Sequence, residues 1–299
     1  MAIKSYAAVI VTYNRKDKLK KAIECLKKQI FKPEKIIIID NASTDGTQVV
    51  LEDYKDDDLI KYVRLEDNLG GAGGFYYGVK EALNYDVDYL ALSDDDAWYQ
   101  EDYFENMQKT SEIHPDVKAF IGMSKDINTG DYVKQGADVV DWNTLELRET
   151  QREFCDTVTF CGFVISKEIV EKIGLPRKDF FIWQDDREYG LRAGKETKIE
   201  FVKDAILLHN EKRDHNGLIP VWKNYYGFRN GIVLRQLYAK DKKAAKSYAL
   251  KQLLRHVPAV LIKKEYKGKR KIYIQSYTDG YKDGYSGNMG KNQKFLPGM

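Results

Sequence analysis

The sequence predicts an α/β fold: a Rossmann-like, mostly parallel sheet with helices on both faces, plus a helical C-terminal extension. Three observations carry that expectation. Short apolar runs rich in β-branched residues recur in the N-terminal third, as in YAAVIVT (Tyr6 to Thr12) and KIIIID (Lys35 to Asp40). Such runs suit parallel strands covered on both faces. Segments with helical spacing alternate with them, and that alternation implies a parallel sheet. Polar clusters close several of the runs, at the carboxyl edge where such sheets bind ligands.

Taken in order, Tyr6 to Thr12 is the first strand. Asn14 with Asp17 three residues on forms a variant capping box, and Leu19, Ala22, Ile23 and Leu26 follow at helical spacing. Lys35 to Asp40 is the second strand, Asn41 to Gly46 (NASTDG) is turn chemistry, and a helix starts near Thr47. Ile60 to Leu65 is the third strand. A glycine-rich loop, Asn68 to Phe75, leads to a helix through Val79 and Leu83, and Tyr89 to Ser93 is the fourth strand. Beyond residue 97 a strand over Val117 to Met123 is expected, then hairpin material over 130–160 with Gly130-Asp131 as a turn. Val164 to Ile173 reads as a helix stopped by Gly174 and Pro176, and Trp183 to Glu188 opens another that ends near Gly194. Ile199 to Leu208 is a late strand, Trp222 begins helical sequence, and the glycine-bearing tail from Asp279 is expected to be poorly ordered.

With 299 residues, 43% of them hydrophobic, the chain supports one or two full cores. Cys25, Cys155 and Cys161 are odd in number and lack metal spacing, so they read as reduced thiols of a cytoplasmic protein. The start is too short for a secretory signal, and no run approaches a membrane span. Residues 240–273 hold twelve Lys/Arg against two Asp/Glu, on an otherwise acidic chain. That asymmetry points to an anionic surface, either a membrane or nucleic acid.

Four constellations carry chemistry. Asp94-Asp95-Asp96 ends a buried strand, where adjacent like charges are costly and a divalent cation, Mn²⁺ or Mg²⁺, would relieve them; the plainer reading is a solvated acidic turn. Asn68, Gly70, Gly71, Gly73 and Gly74 suit close approach of a phosphate to a helix N-terminus, although neither dinucleotide nor P-loop spacing fits. Asp185-Asp186 after Trp183 reads as a general base beside a flat aromatic wall for a sugar, or as simple helix capping. His209 ends the late strand and is placed to ligate; His215 is a weaker candidate for an acceptor contact, and His114 and His256 have no such support. Tyr225 to Asn230 (YYGFRN) reads equally as core packing around a buried salt bridge or as functional.

Together VIVTYNR, IIIDNASTDGT, NLGGAGGF, SDDDA, FIWQDDREYGLRAG and YYGFRN resemble the inverting, nucleotide-sugar-dependent glycosyltransferases of family 2, with the GT-A fold, over roughly residues 5–235. NLGGAGGF with DDDA and W-x-D-D-x-E-Y-G-x-R resembles the bacterial galactofuranosyltransferases, with rhamnosyltransferases as near relatives. The resemblance implies that Thr12 and Arg15, with Asp40, hold the uracil and ribose, that Tyr13, Asn14, Asn41 and Asp95 also bind the nucleotide sugar, that Asn68 to Gly74 line its pocket, and that Asp94 and Asp96 match the acidic motif that reaches ribose and metal. It implies Asp94, Asp96 and His209 as metal ligands, Asp186 as base, Asp185 as its neighbour, and Trp183 and His215 at the acceptor. Gln184, between Trp183 and Asp185, departs from that pattern.

The implied organisation is a catalytic domain over 1–235, with a nucleotide-sugar half to about residue 97 and an acceptor half to 235, then a basic helical region over 236–299. The implied reaction is transfer of galactofuranose from a UDP-sugar to a glycan or lipid-linked glycan in bacterial surface polysaccharide synthesis. It would run at the inner face of the cell membrane, against anionic lipid and without nucleic acid, with self-association left open. A dTDP-rhamnose donor is the alternative. A nucleotidyltransferase, or a non-catalytic nucleic-acid-binding module, is the rival class.

Overall fold

The structure, a computed structural model, describes residues 2–210 and 218–297. Its first elements are β1 (Tyr6–Thr12), α1 (Lys16–Lys27), β2 (Lys35–Asp40), α2 (Thr47–Glu52), β3 (Ile60–Arg64), α3 (Gly70–Ala82) and β4 (Tyr89–Asp94). Then come β5 (Ala97–Tyr99), α4 (Tyr103–Ile113), β6 (Ala119–Asp126), β7 (Tyr132–Val133), β8 (Gly136–Asp141), β9 (Glu146–Thr150), β10 (Phe154–Cys155), β11 (Thr157–Val158), β12 (Phe163–Ser166) and α5 (Lys167–Ile173). The chain continues through α6 (Asp185–Ala193), β13 (Ile199–His209), α7 (Val221–Tyr238), α8 (Lys242–Ile262) and α9 (Arg270–Ser286). Strands β3, β2, β1 and β4 pair in parallel; β12 joins antiparallel, then β6 and β13, which are parallel to each other.

Two compact units make up the chain. One comprises residues 1–138, 149–178 and 186–211; the other comprises 139–148, 179–185 and 212–299. In the first unit the two-residue period of β1 separates two apolar layers. Ala8 and Ile10 pack with Leu19, Ala22, Ile23 and Leu26 of α1, while Ala7, Val9 and Val11 pack with Phe75, Val79 and Ala82 of α3. Each fully buried Leu, Ile or Val contributes about 1.5–3 kcal/mol. Helices therefore cover both faces, as the alternation implied.

Several local expectations are corrected. Asn14 does not cap α1: it has φ 54°, and its Oδ1 accepts the N–H of Thr44 at 2.7 Å. The first amide of α1, Lys16 N–H, donates instead to Asp45 Oδ2 at 3.0 Å. The glycine run is not a loop before a helix but the first turns of α3. A Cβ at Gly74 or Gly78 would collide with Val11 or Val9, so these glycines let the helix lie close on β1. Phe163–Ser166 is a strand, and Ser166 doubles as the cap of α5, accepting from Ile169 N–H at 3.3 Å. The tail is helical to Ser286, because a Cβ at Gly280 would lie only 3.1 Å from Tyr225 O, and at Gly284 only 2.9 Å from Arg229 O.

The second unit holds α7, α8 and α9. The expected boundary at residue 235 falls inside α7. Arg229 is buried there, as one of the two readings had it, but its guanidinium meets carbonyl oxygens of Gly290 and Phe180 rather than a carboxylate. Among the described residues no helix is long and apolar enough to cross a membrane.

Candidate active site

Parallel pairing sets the carboxyl ends of β1, β2 and β4 side by side, with Thr12 opposite Asp40 and Val11 opposite Asp94. Antiparallel pairing of β5 with β13 then sets His209 opposite Ala97, directly after the acidic turn. The turn is no solvated feature: Asp95 is 1% exposed and Asp96 3%. Thr12 Oγ1 donates to Asp95 Oδ2 at 2.6 Å. Arg15 Nη1 reaches Asp95 Oδ1 at 3.2 Å and Asp96 Oδ2 at 2.7 Å. Lys18 Nζ adds a contact to Asp96 Oδ2 at 3.3 Å and donates to the carbonyl of Asn210. His209 Nε2 lies 3.4 Å from Asp96 Oδ1.

The electrostatics follow from that crowding. Burial, then repulsion from Asp96 and Asp95, pushes Asp94 up to about 7. Burial pushes Asp95 up to about 6 against the pull of Arg15. Burial also acts on Asp96, but its hydrogen bond with His209 and the charges of Arg15, His209 and Lys18 outweigh it and hold it at about 2. Burial likewise works against the Arg15 cation, and the three aspartates more than offset it. One turn thus holds carboxylates of opposed proton affinity, a pattern typical of functional sites.

A second cluster lies at the start of α3. Asn68 Oδ1 accepts the N–H of Gly70 at 2.8 Å, and Asn41 accepts from Leu69 N–H at 3.3 Å while donating to Gly70 O at 3.2 Å. Gly70 has φ 73°, a left-handed conformation that favours glycine. Gly73 and Gly74 have packing reasons to lack a side chain; a Cβ at Gly71 would meet nothing within 4 Å. Gly71 therefore leaves open space at the helix N-terminus. Asp40 is fully buried: Oδ2 accepts from Tyr62 and Arg64 at 2.8 Å each, and Oδ1 from Ser43 N–H at 2.8 Å. It holds the Asn41–Thr44 turn, as Asn14 does from the other side, while Tyr13 is 39% exposed.

Asp185 and Asp186 open α6. Asp186 belongs to the first unit; its Oδ1 accepts the N–H of Arg187 at 2.7 Å, and burial raises its carboxyl above the usual range against the pull of Arg187. Asp185, 5% exposed, and Trp183, 37% exposed, belong to the second unit. His215 lies outside the described residues. Sequence reasoning missed Lys18, which is one of several lysines on α1, and Asp126, a strand-end acid that the β6–β13 register sets beside His209. Asp126 carries the same signal as Asp94, an acid closing an apolar strand.

No three His, Cys, Asp or Glu side chains among the described residues are grouped so as to hold a metal ion. Asp96 and His209 nonetheless bring an oxygen and a nitrogen donor together. That fits a hard or borderline divalent ion that takes one or two protein ligands and fills its other positions with phosphate oxygens and water.

The profile of glycosyl transferase family 2 matches residues 7–174, more than half of the chain. The chain is similar to galactofuranosyltransferase GlfT1 of Mycobacterium tuberculosis, 35% identical over 97 residues, a match spanning about a third of that relative (32% of each chain). It is 32% identical over 216 residues to the uncharacterized glycosyltransferase YwdF of Bacillus subtilis, covering 67% of this chain and 72% of that one. Among solved structures, GalNAc-T7 with UDP, GalNAc and Mn²⁺ superposes with a TM-score of 0.66 at 16% identity, over 95% of this chain and 56% of that one. That likeness establishes the fold as GT-A.

Proposed function

Because the chain belongs to glycosyl transferase family 2, we propose that it transfers a sugar, galactofuranose, from a UDP-sugar to a hydroxyl of a glycan or lipid-linked glycan, with inversion at the anomeric carbon. The observation that carries this reading is the buried Asp94–Asp96 turn, tied to Thr12 and Arg15 on one side and to His209 on the other. The UDP and Mn²⁺ that accompany GalNAc-T7 in its crystal structure support the donor class and a divalent ion. The galactofuranosyl name of GlfT1 supports the sugar.

In this reading Thr12, Tyr13, Arg15 and Asn41 bind the nucleoside within the frame held by Asp40 and Asn14. The amides that open α3 receive the diphosphate, and Asp94 and Asp95 face the ribose. Asp96 and His209, with Asp94 beside them, would hold Mn²⁺ or Mg²⁺, which when bound neutralises charge on the departing diphosphate. Asp186 accepts the proton of the acceptor hydroxyl as its oxygen bonds to the anomeric carbon and the bond to UDP breaks. A carboxyl raised by burial is a stronger base for that step. Asp185 and Trp183 orient the acceptor.

The direct test is a panel of nucleotide sugars incubated with the chain and Mn²⁺, following UDP release. UDP-galactofuranose is expected to give the fastest release; faster turnover of dTDP-rhamnose would overturn the donor assignment.

Gly71 offers a second test. An Ala there meets no neighbour and improves helix propensity by about 1 kcal/mol, so Gly71→Ala is expected to hold or raise Tm. Its methyl enters the space assigned to the donor, so donor KM is expected to rise severalfold. Unchanged KM would remove the phosphate from this helix end.

The lipid-linked acceptor rests on the second unit. Leu254, Leu261 and Ile262 of α8 are 63%, 53% and 77% exposed, and the exposed Lys263, Lys264 and Lys267 follow them. Cations near an anionic bilayer contribute about 1 kcal/mol each. The full chain is expected to float with anionic vesicles in low salt, and the triple change of these lysines to Glu to abolish flotation. Equal flotation of both would sink the membrane contact.

A further inference from the structure

The short segment before α6 is strained and pinned. Phe181, Trp183 and Gln184 have φ of 65°, 65° and 72°, left-handed values that non-glycine residues adopt at an energetic cost. Such conformations persist only where surroundings over-determine them. Here the surroundings are side chains of α7. Asn230 is fully buried, and its Nδ2 lies 3.0 Å from Phe180 O and 2.8 Å from both Ile182 O and Trp183 O. Arg229 Nε donates to Asn230 Oδ1 at 2.9 Å, which fixes the amide orientation, and Arg229 Nη2 adds a bond to Phe180 O at 2.9 Å. The rings follow the backbone: Phe181 packs on Tyr226 at 4.8 Å between centroids. Trp183 lies over Gly227, where a Cβ would come within 2.7 Å of it.

We propose that Asn230, oriented by Arg229, is a positioning residue that holds residues 180–184 in the strained course that leads into Asp185. The inference rests on the reading of Asp185 as the neighbour of the base that orients the acceptor. A buried side-chain amide has two N–H donors to satisfy; this one gathers three carbonyls from a single segment. Asn230 acts through that segment and not on the reacting atoms. An acceptor misplaced by about 1 Å loses as much as a hundredfold in rate without loss of donor binding.

Asn230→Asp keeps the shape and the bond to Arg229 but turns an oxygen toward three carbonyl oxygens. It is expected to lower kcat by at least about tenfold while donor KM and UDP affinity stay within about twofold. Adding Gln184→Gly, which removes one left-handed penalty, is expected to recover kcat severalfold. If the buried acid prevents folding, Asn230→Ser, which retains one donor, is read in the same way. A kcat within about twofold of the parent, equal losses in kcat and UDP affinity, or no recovery with glycine would overturn the inference. Asp185→Asn is the control. If it loses turnover and Asn230→Asp does not, only the positioning role fails; if it keeps turnover, the acceptor-orienting role of Asp185 fails first.

Discussion

Asp186→Asn is expected to lower turnover by about a hundredfold or more while leaving UDP affinity within about twofold, the signature of a lost general base. Asparagine matches aspartate in shape and still offers an oxygen to Arg187 N–H, whose present bond is 2.7 Å. The start of α6 should therefore survive the change, and the remaining loss is chemical. The pH profile gives the second readout. Burial raises the Asp186 carboxyl, so the acid limb of kcat should lie above the ordinary carboxylate range and vanish in the variant. Measured kcat and UDP titration across pH check both points. Undiminished turnover would remove Asp186 from the mechanism.

What could be read without coordinates divides along local and non-local lines. The strands β1, β2 and β4 were legible because a buried parallel strand writes its environment into a continuous apolar run. The need of the acidic turn for partners was legible because three adjacent carboxylates after such a run need compensation, and Arg15, Lys18 and His209 are found supplying it. The position of the glycine run inside α3 was not legible, since glycine disfavours helix and its reason here is the approach to Val9 and Val11 of β1. The same holds for the tail, where Gly280 and Gly284 read as disorder until α7 is seen against them. Strand β12 was hidden because Ser166 ends it and caps α5 with no turn between. Lys18 could not be told from its neighbours on α1, because only the fold aims it at Asp96. The paired acids at α6 were legible, but the hold of Asn230 on the segment before them is a long-range arrangement of carbonyls that leaves no pattern in the chain.

Asp94→Asn is expected to stabilise the fold at pH 8 and to impair the enzyme. Burial and its acidic neighbours raise Asp94 from 3.8 to about 7. A raised carboxyl binds its proton more tightly folded than unfolded, so its contribution to stability falls as pH rises from the unfolded value through the folded one. Above about 7 the ionised form is held at full cost. Asparagine carries no such cost, and a gain on the order of 1 kcal/mol, a few degrees in Tm, is expected there. The gain should shrink as pH falls toward 5 and Asp94 protonates. Asp96 has the opposite sign: its folded value near 2 gives stability that is present above 3.8 and lost only as pH falls below it. The two residues are therefore separable by the direction of the Tm difference with pH. Turnover of Asp94→Asn is expected to fall about a hundredfold, the scale of losing one charge-placing group in a buried site. A fold held at a cost by the group its chemistry requires is the expected trade between stability and function. A Tm at pH 8 below that of the parent would show that Asp94 is a structural carboxylate and not a strained functional one.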